Sequence, residues 1–232
     1  MARTTRLTFL HSFLGLVILV VSTQITGAAD LAVKRIDKEP PKEAGDSIKM
    51  VLTSKAVQLL DGGKTAFEFW FRSEIPLKSK AESPTKALQA IGEATLCGVV
   101  SVQADARDYK DNEIPPGLYT ARFANQPQDG DHLGTAEFAY FLVLIPIQED
   151  TQLNGISAYK PMVKASGKAT PSGHPIVLSL RPGISADGEF PKLSEPAPDH
   201  KSISLKLPAK APDSDQPTSV VFDLVFKGKG KV

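Results

Sequence analysis

Asp108-Tyr109-Lys110-Asp111-Asn112-Glu113-Ile114-Pro115-Pro116-Gly117-Leu118-Tyr119-Thr120-Ala121-Arg122-Phe123, followed after a polar interval by Phe138-Ala139-Tyr140-Phe141-Leu142-Val143-Leu144-Ile145-Pro146, shows the pattern of this chain at its clearest. Pro115, Pro116 and Gly117 end whatever precedes them. Side chains alternate along a strand, so Leu118, Thr120 and Arg122 fall on one face and Tyr119, Ala121 and Phe123 on the other, which makes one face apolar. Phe138 to Ile145 is almost unbroken in apolar residues, many aromatic or branched, as suits a strand buried on both sides. That pair of strands is the expected centre of the core. The interval between them, Asn125 to Glu137, holds the densest polar cluster of the chain.

Working outward, the same alternation recurs. Ile48, Met50 and Leu52 alternate, Val57 to Leu60 follow, Asp61-Gly62-Gly63 makes a turn, and Phe67, Phe69 and Phe71 alternate with Glu68, Trp70 and Arg72. Trp70 and Arg72 are expected to form an exposed platform. Leu96 to Val102, Ile176 to Leu180, Ile203 to Leu207 and Val220 to Phe226 read as further strands, and residues 183 to 201 as a long proline-rich loop. Ser83-Pro84 with Gly92 marks a short helix, and Ala158 to Ala165 holds a turn or two of helix interrupted or begun at Pro161. Eight to ten short strands with at most two short helices predict an all-β fold: an antiparallel β-sandwich, jelly-roll or immunoglobulin-like, or a barrel.

The N-terminus reads differently. Arg3 and Arg6, the apolar run Phe13 to Val21 and the small residues ending at Gly27-Ala28-Ala29 reproduce the three sections of a secretory signal peptide, which predicts cleavage after Ala29 and export to the periplasm or medium. The apolar run is far short of the ~20 residues that span a bilayer, so no transmembrane segment is expected in the mature chain. Residues 30–46, with Glu39-Pro40-Pro41-Lys42-Glu43, read as an extended polar lead-in, and residues 47–232 as a single β-sandwich domain. With 27 Lys plus Arg against 26 Asp plus Glu and no basic patch beyond the Lys227, Lys229, Lys231 tail, nucleic acid is not an expected partner. Cys97 is the single cysteine, so no internal disulfide can form, and its apolar surroundings predict a buried, inert thiol.

Asp108-Tyr109, Ile114-Pro115-Pro116-Gly117-Leu118-Tyr119-Thr120, Gln126-Pro127-Gln128-Asp129-Gly130-Asp131-His132-Leu133-Gly134 and His174-Pro175 resemble the motifs of a family of exported bacterial proteins of unknown function, over a span from Phe67 to Leu180. That family has Arg-Gly-Gln after the Asp-Tyr pair, Leu after Tyr-Thr and Arg-Asp before the phenylalanine of the second strand. Here Lys110-Asp111-Asn112, Ala121 and Ala136-Glu137 stand in those places. The resemblance implies export and one β-rich domain, and it implies no activity.

The polar cluster has two readings. His132 beside Asp129 and Asp131, joined by His174 from a neighbouring strand end, is a nitrogen and oxygen set that suits zinc or another divalent metal. Alternatively Asp129-Gly130-Asp131 is a turn, its aspartates bonded to their own backbone and its glycine supplying a positive φ. Turn chemistry is satisfied completely by these residues and metal chemistry only in part. Asp105, Asp108, Asp111 and Glu113 lack the glycine and terminal acid of an EF-hand loop. Ser83 and Lys86 have the Ser-x-x-Lys spacing of a β-lactamase nucleophile without its companion motifs. The candidate binding residues are therefore Asp108, Tyr109, Arg122, Asp129, Asp131, His132 and His174. The expected function is a non-enzymatic binding or structural-interaction module of the cell envelope, with no resident cofactor and a glycan or protein ligand. A metal-dependent hydrolase or metal-binding protein using His132 with Asp129 and Asp131 is the alternative.

Overall fold

Asp61 and Lys64 face each other across a two-residue turn in which Gly62 and Gly63 have φ of +58° and +78°, the pair of positive angles that lets a tight hairpin follow the natural strand twist. This hairpin belongs to a computed structural model that describes residues 1, 31–103, 106–109, 112–127, 137–196 and 200–228. In chain order the strands are β1 (Ala32–Asp37), β2 (Lys55–Asp61), β3 (Lys64–Phe71), β4 (Ile75–Pro76), β5 (Leu96–Val102), β6 (Ala106–Arg107), β7 (Glu113–Ile114) and β8 (Gly117–Asn125). They continue as β9 (Tyr140–Pro146), β10 (Ile176–Pro182), β11 (Lys192–Ser194), β12 (Lys201–Lys210) and β13 (Thr218–Lys227), with helices α1 (Asp46–Lys49) and α2 (Tyr159–Ser166). The all-β, antiparallel expectation holds.

Eleven strands form one sheet in the order β1-β2-β3-β5-β8-β9-β10-β13-β12-β11, antiparallel throughout except where β4 joins β12 in parallel; β6 and β7 form a separate ribbon. β4 follows β3 within a few residues yet pairs with β12 on the other half of the sheet, so the sheet has to curl until its halves face each other. The two layers of the fold are therefore parts of one continuous ladder. β8 and β9 lie at its middle, as their sequences predict.

The interior follows from the period of two. Phe67, Phe69 and Phe71 point inward and stack with ring centres 5.5 Å apart. Tyr119, Ala121 and Phe123 of β8, Leu142 and Leu144 of β9, Leu178 and Leu180 of β10, and the inward residues of β12 and β13 join them in one cluster. The outer face is covered in places. Val143 and Ile145 pack under Met162 of α2, which explains why the β9 run is apolar on both sides. Pro161 is the third residue of α2, within the first turn, where its missing N–H breaks no helical bond.

Five expectations need correction. Residues 30–46, read as a polar lead-in separate from the β domain, contribute β1 to the sheet edge, and the segment after β1 lies over β3 and β5. Ile48, Met50 and Leu52 are not a strand: Ile48 is in α1, Ile48 and Leu52 are buried four residues apart, and Met50 is 80 % exposed. Trp70 is consequently no platform. It is 1 % exposed, packs with Ile48, Ala56 and Val99, and donates its indole N–H to the Lys38 carbonyl at 2.7 Å. The predicted helix from Ser83 is a 3-10 turn, Ala87–Ala90, without a side-chain cap, and β11 forms inside the predicted long loop. Among the described residues no helix is long and apolar enough to cross a membrane.

The outward face of β8 carries a buried ion pair. Arg122, 1 % exposed, donates from Nε to Asp150 Oδ2 at 2.6 Å and from Nη2 to Asp150 Oδ1 at 2.9 Å, and Thr120 donates to the same carboxylate at 2.6 Å. The guanidinium also donates to the carbonyls of Ala94, Gln152, Leu153 and Ile156. Removing one member of a buried pair leaves the other charged and unpaired, a loss of about 3–5 kcal/mol. Asp150→Ala should therefore lower the melting midpoint by on the order of 10 °C in a thermal melt, while Lys86→Ala, which removes an exposed pair with Glu82, should leave it within a degree or so.

Cys97 is buried on β5, and burial pushes its thiol up to about 12, with the nearby Arg72 and Arg122 opposing the rise. A thiolate is the reactive form. A maleimide or disulfide reagent at pH 8 should leave the native protein unlabelled and modify the single thiol only after unfolding in guanidinium.

Candidate functional site

The outward residues of β9 and β10 alongside α2 form the floor of a groove. Phe141 and Val143 come from β9, Val177 and Ser179 from β10, and Val163 and Tyr159 from α2 at one side. The opposite wall is built by Asp108, Tyr109 and Asn112, by Gln126 just after β8, by Glu137 and Phe138 before β9, and by His174-Pro175 before β10. The groove is about 400 Å³. A second hollow of about 350 Å³, reaching Thr170 and Pro171, shares Asp108, Asn112, His174 and Pro175, so these residues are the partition between two depressions.

Local hydrogen bonding sets the wall. Asp108 is buried, and its carboxylate accepts from the Asn112 backbone N–H and side-chain amide, each at 2.9 Å, while its own N–H donates to the Asn112 carbonyl. This is aspartate holding a tight turn through its own backbone. Tyr109 donates its hydroxyl to Glu137 Oε2 at 2.5 Å and meets Phe138 edge to face, ring centres 5.1 Å apart, an arrangement favoured by the ring quadrupoles. Behind Tyr109 lies His200, its ring centre 5.1 Å away. His174 is exposed, with Nδ1 3.1 Å from the Pro175 carbonyl. A carbonyl only accepts, so Nδ1 carries the proton directed at it.

Of the residues singled out in the sequence, Asp108, Tyr109 and His174 come together at this groove from two distant parts of the chain. Arg122 does not join them: it lies under the segment from Asp150 to Ile156, its donors committed to that segment and to Ala94. Asp129, Asp131 and His132 lie outside the described residues, although the described residues flanking that interval, Gln126 and Glu137, both line the groove. Among the described residues no group of three or more His, Cys, Asp or Glu side chains is placed to hold a metal ion.

Sequence reasoning missed Glu137, Phe138, Phe141 and Val177 as groove residues, reading Phe138 and Phe141 as core and Val177 as part of a strand. The missing signal was the length of α2: at eight residues it covers only part of the outer face of β9 and β10. His200 gave no sign of burial, since it follows Pro198 and Asp199 in a stretch that reads as loop.

Comparison of the chain with protein-family models, with curated proteins and with solved structures found no match.

Gly228 closes the rear of this wall. A Cβ there would stand 2.7 Å from His200 Cδ2 and 2.9 Å from Tyr109 Cδ2, closer than packed atoms approach. Gly228→Ala should push the two rings apart, destabilise the protein by about 1–3 kcal/mol as overpacking does, and change the near-ultraviolet dichroism of the tyrosines.

Proposed function

We propose that this protein is an exported, non-enzymatic binding module of the cell envelope, and that its groove takes a protein segment presenting an aliphatic or aromatic side chain next to a basic one. The observation that carries this reading is the groove itself, an apolar floor rimmed by a few polar groups, which is the usual make-up of a ligand site. The rim decides the charge. Among the described residues the lining holds two carboxylates, Asp108 and Glu137, and no lysine or arginine. The floor favours a peptide side chain over a sugar: Phe138 and Phe141 are only 7 % and 9 % exposed, so they offer edges and not the open faces on which a pyranose stacks. Export rests on the three-part pattern of residues 1–29. The family resemblance around Asp108-Tyr109 and His174-Pro175 points the same way and adds no chemistry.

Selection of a random heptapeptide phage library on the chain from residue 30 onward tests the reading. Recovered peptides should share an apolar residue adjacent to Lys or Arg. Val177→Arg, which fills the floor, should abolish recovery. Glu137→Gln should weaken the best peptide by about two- to five-fold, the loss of one exposed charge partner, and melting midpoints near the parent's would show that both variants fold. Recovery of no consensus, or a consensus that binds Val177→Arg equally well, defeats the proposal.

A further inference from the structure

Four buried polar atoms among the described residues have no hydrogen-bond partner: Arg181 Nη1, His200 Nδ1, His200 Nε2 and Ser202 Oγ. Arg181 and His200 both border the Phe138 ring, and Ser202 pairs in register with Val225 beneath it. Along the outer face of β10, β13 and β12 the register sets Val225 between Ser179 and Ser202, and Asp223 between Arg181 and Ser204. Phe138 lies over Val225 together with Tyr109. Its ring centre is 5.9 Å from the guanidinium carbon of Arg181 and 5.9 Å from the ring centre of His200. The orphaned groups thus border one aromatic cover. His200 is 6 % exposed and Ser202 fully buried, whereas Arg181 is half-buried and opens the cluster to solvent.

Folded chains seldom leave buried polar groups unmatched, and several together call for a missing partner. The atoms say which kind. Arg181 only donates and is permanently charged, the serine hydroxyl can donate, and an imidazole donates from at least one nitrogen. Asp223, across the β10–β13 ladder from Arg181, accepts at Oδ1 from Ser204 at 2.5 Å and Ser194 at 3.4 Å, and leaves Arg181 Nη1 without a partner. A metal cation would be repelled by the guanidinium. A water molecule would accept hydrogen bonds without answering the charge, and an oxyanion does both.

We propose that Arg181, His200 and Ser202 form an oxyanion site on the outer face of β10 and β12, covered by Phe138 and Tyr109, for a carboxylate, sulfate or phosphate group. Arg181 supplies the charge, His200 and Ser202 fix the orientation, and Asp223 nearby keeps the affinity modest. The site stands apart from the reading of the groove: a protein that selected no peptide would still be expected to hold the anion.

The test is a titration of the chain from residue 30 onward with sodium sulfate, sodium phosphate or sodium acetate at constant ionic strength, following the imidazole proton resonances by NMR. The His200 signal is assigned by its loss in His200→Gln. That signal should move saturably with at least one of the three salts, and comparison of acetate with the tetrahedral anions identifies the preferred shape. Arg181→Gln should weaken the response at least about ten-fold, the scale of losing a charge-assisted hydrogen bond, and Ser202→Ala several-fold, with exposed Lys206→Gln unchanged as control. No saturable movement with any salt, or equal affinity in Arg181→Gln, overturns the proposal. If Arg181→Gln does not fold, Ser202→Ala decides alone, and unchanged affinity there overturns it.

Discussion

Arg122 and Asp150 are both withdrawn from water, and such a pair is tolerated only when its charges and donors are answered on the spot. Here they are. The carboxylate takes two guanidinium donors and the Thr120 hydroxyl, and the remaining guanidinium hydrogens go to backbone carbonyls before β5 and after β9. This single side chain on a central strand thereby determines how the chain leaves β9. From Asp150 to Ile156 the backbone is held against the outer face, and it enters α2 only afterwards. The position of α2, and hence of one side of the groove, depends on that anchorage.

The curl of the sheet does the rest. A sheet whose halves face each other buries every second residue in one interior, so the remaining residues form an outer surface that the chain has only limited material to cover. The segment from Lys38 to Thr53 covers β3 and β5, burying Trp70, and α2 covers part of β9 and β10. What is left between α2 and the turn at Asp108 is the groove. Among the described residues it is made by incomplete coverage of an apolar surface. The polar groups arrive at its rim because turns and strand ends lie where strands stop, and turns are where aspartate and histidine are favoured.

The outer face of β10, β13 and β12 follows another logic. There the outward positions include Ser179, Arg181, Asp223, Ser202 and Ser204, polar residues suited to water, yet Phe138 and Tyr109 lie over Val225 among them. Ser204 and Asp223 satisfy each other. Arg181, His200 and Ser202 do not, and they form the one place among the described residues where hydrogen bonding in this protein is left open.

The all-β class, the central place of Leu118–Phe123 and Phe138–Ile145, the Gly62-Gly63 hairpin and the burial of Cys97 were legible from the order of residues alone. Each is a matter of local period or of a backbone angle that few residues tolerate. The part of the site formed by Asp108, Tyr109 and His174 was legible in kind, as polar residues at strand ends. Their meeting in one groove was not, because β8, β9 and β10 bring together residues more than sixty positions apart only through their ladder. The errors share a cause. Trp70 read as exposed because it lies between Glu68 and Arg72, and Arg122 read as a site residue because charge usually means solvent. Alternation along a strand reports which side a residue faces but not what will later be laid over that side. Coverage is settled by distant segments, Lys38 to Thr53 over Trp70 and Asp150 to Ile156 over Arg122, and only the folded chain places them.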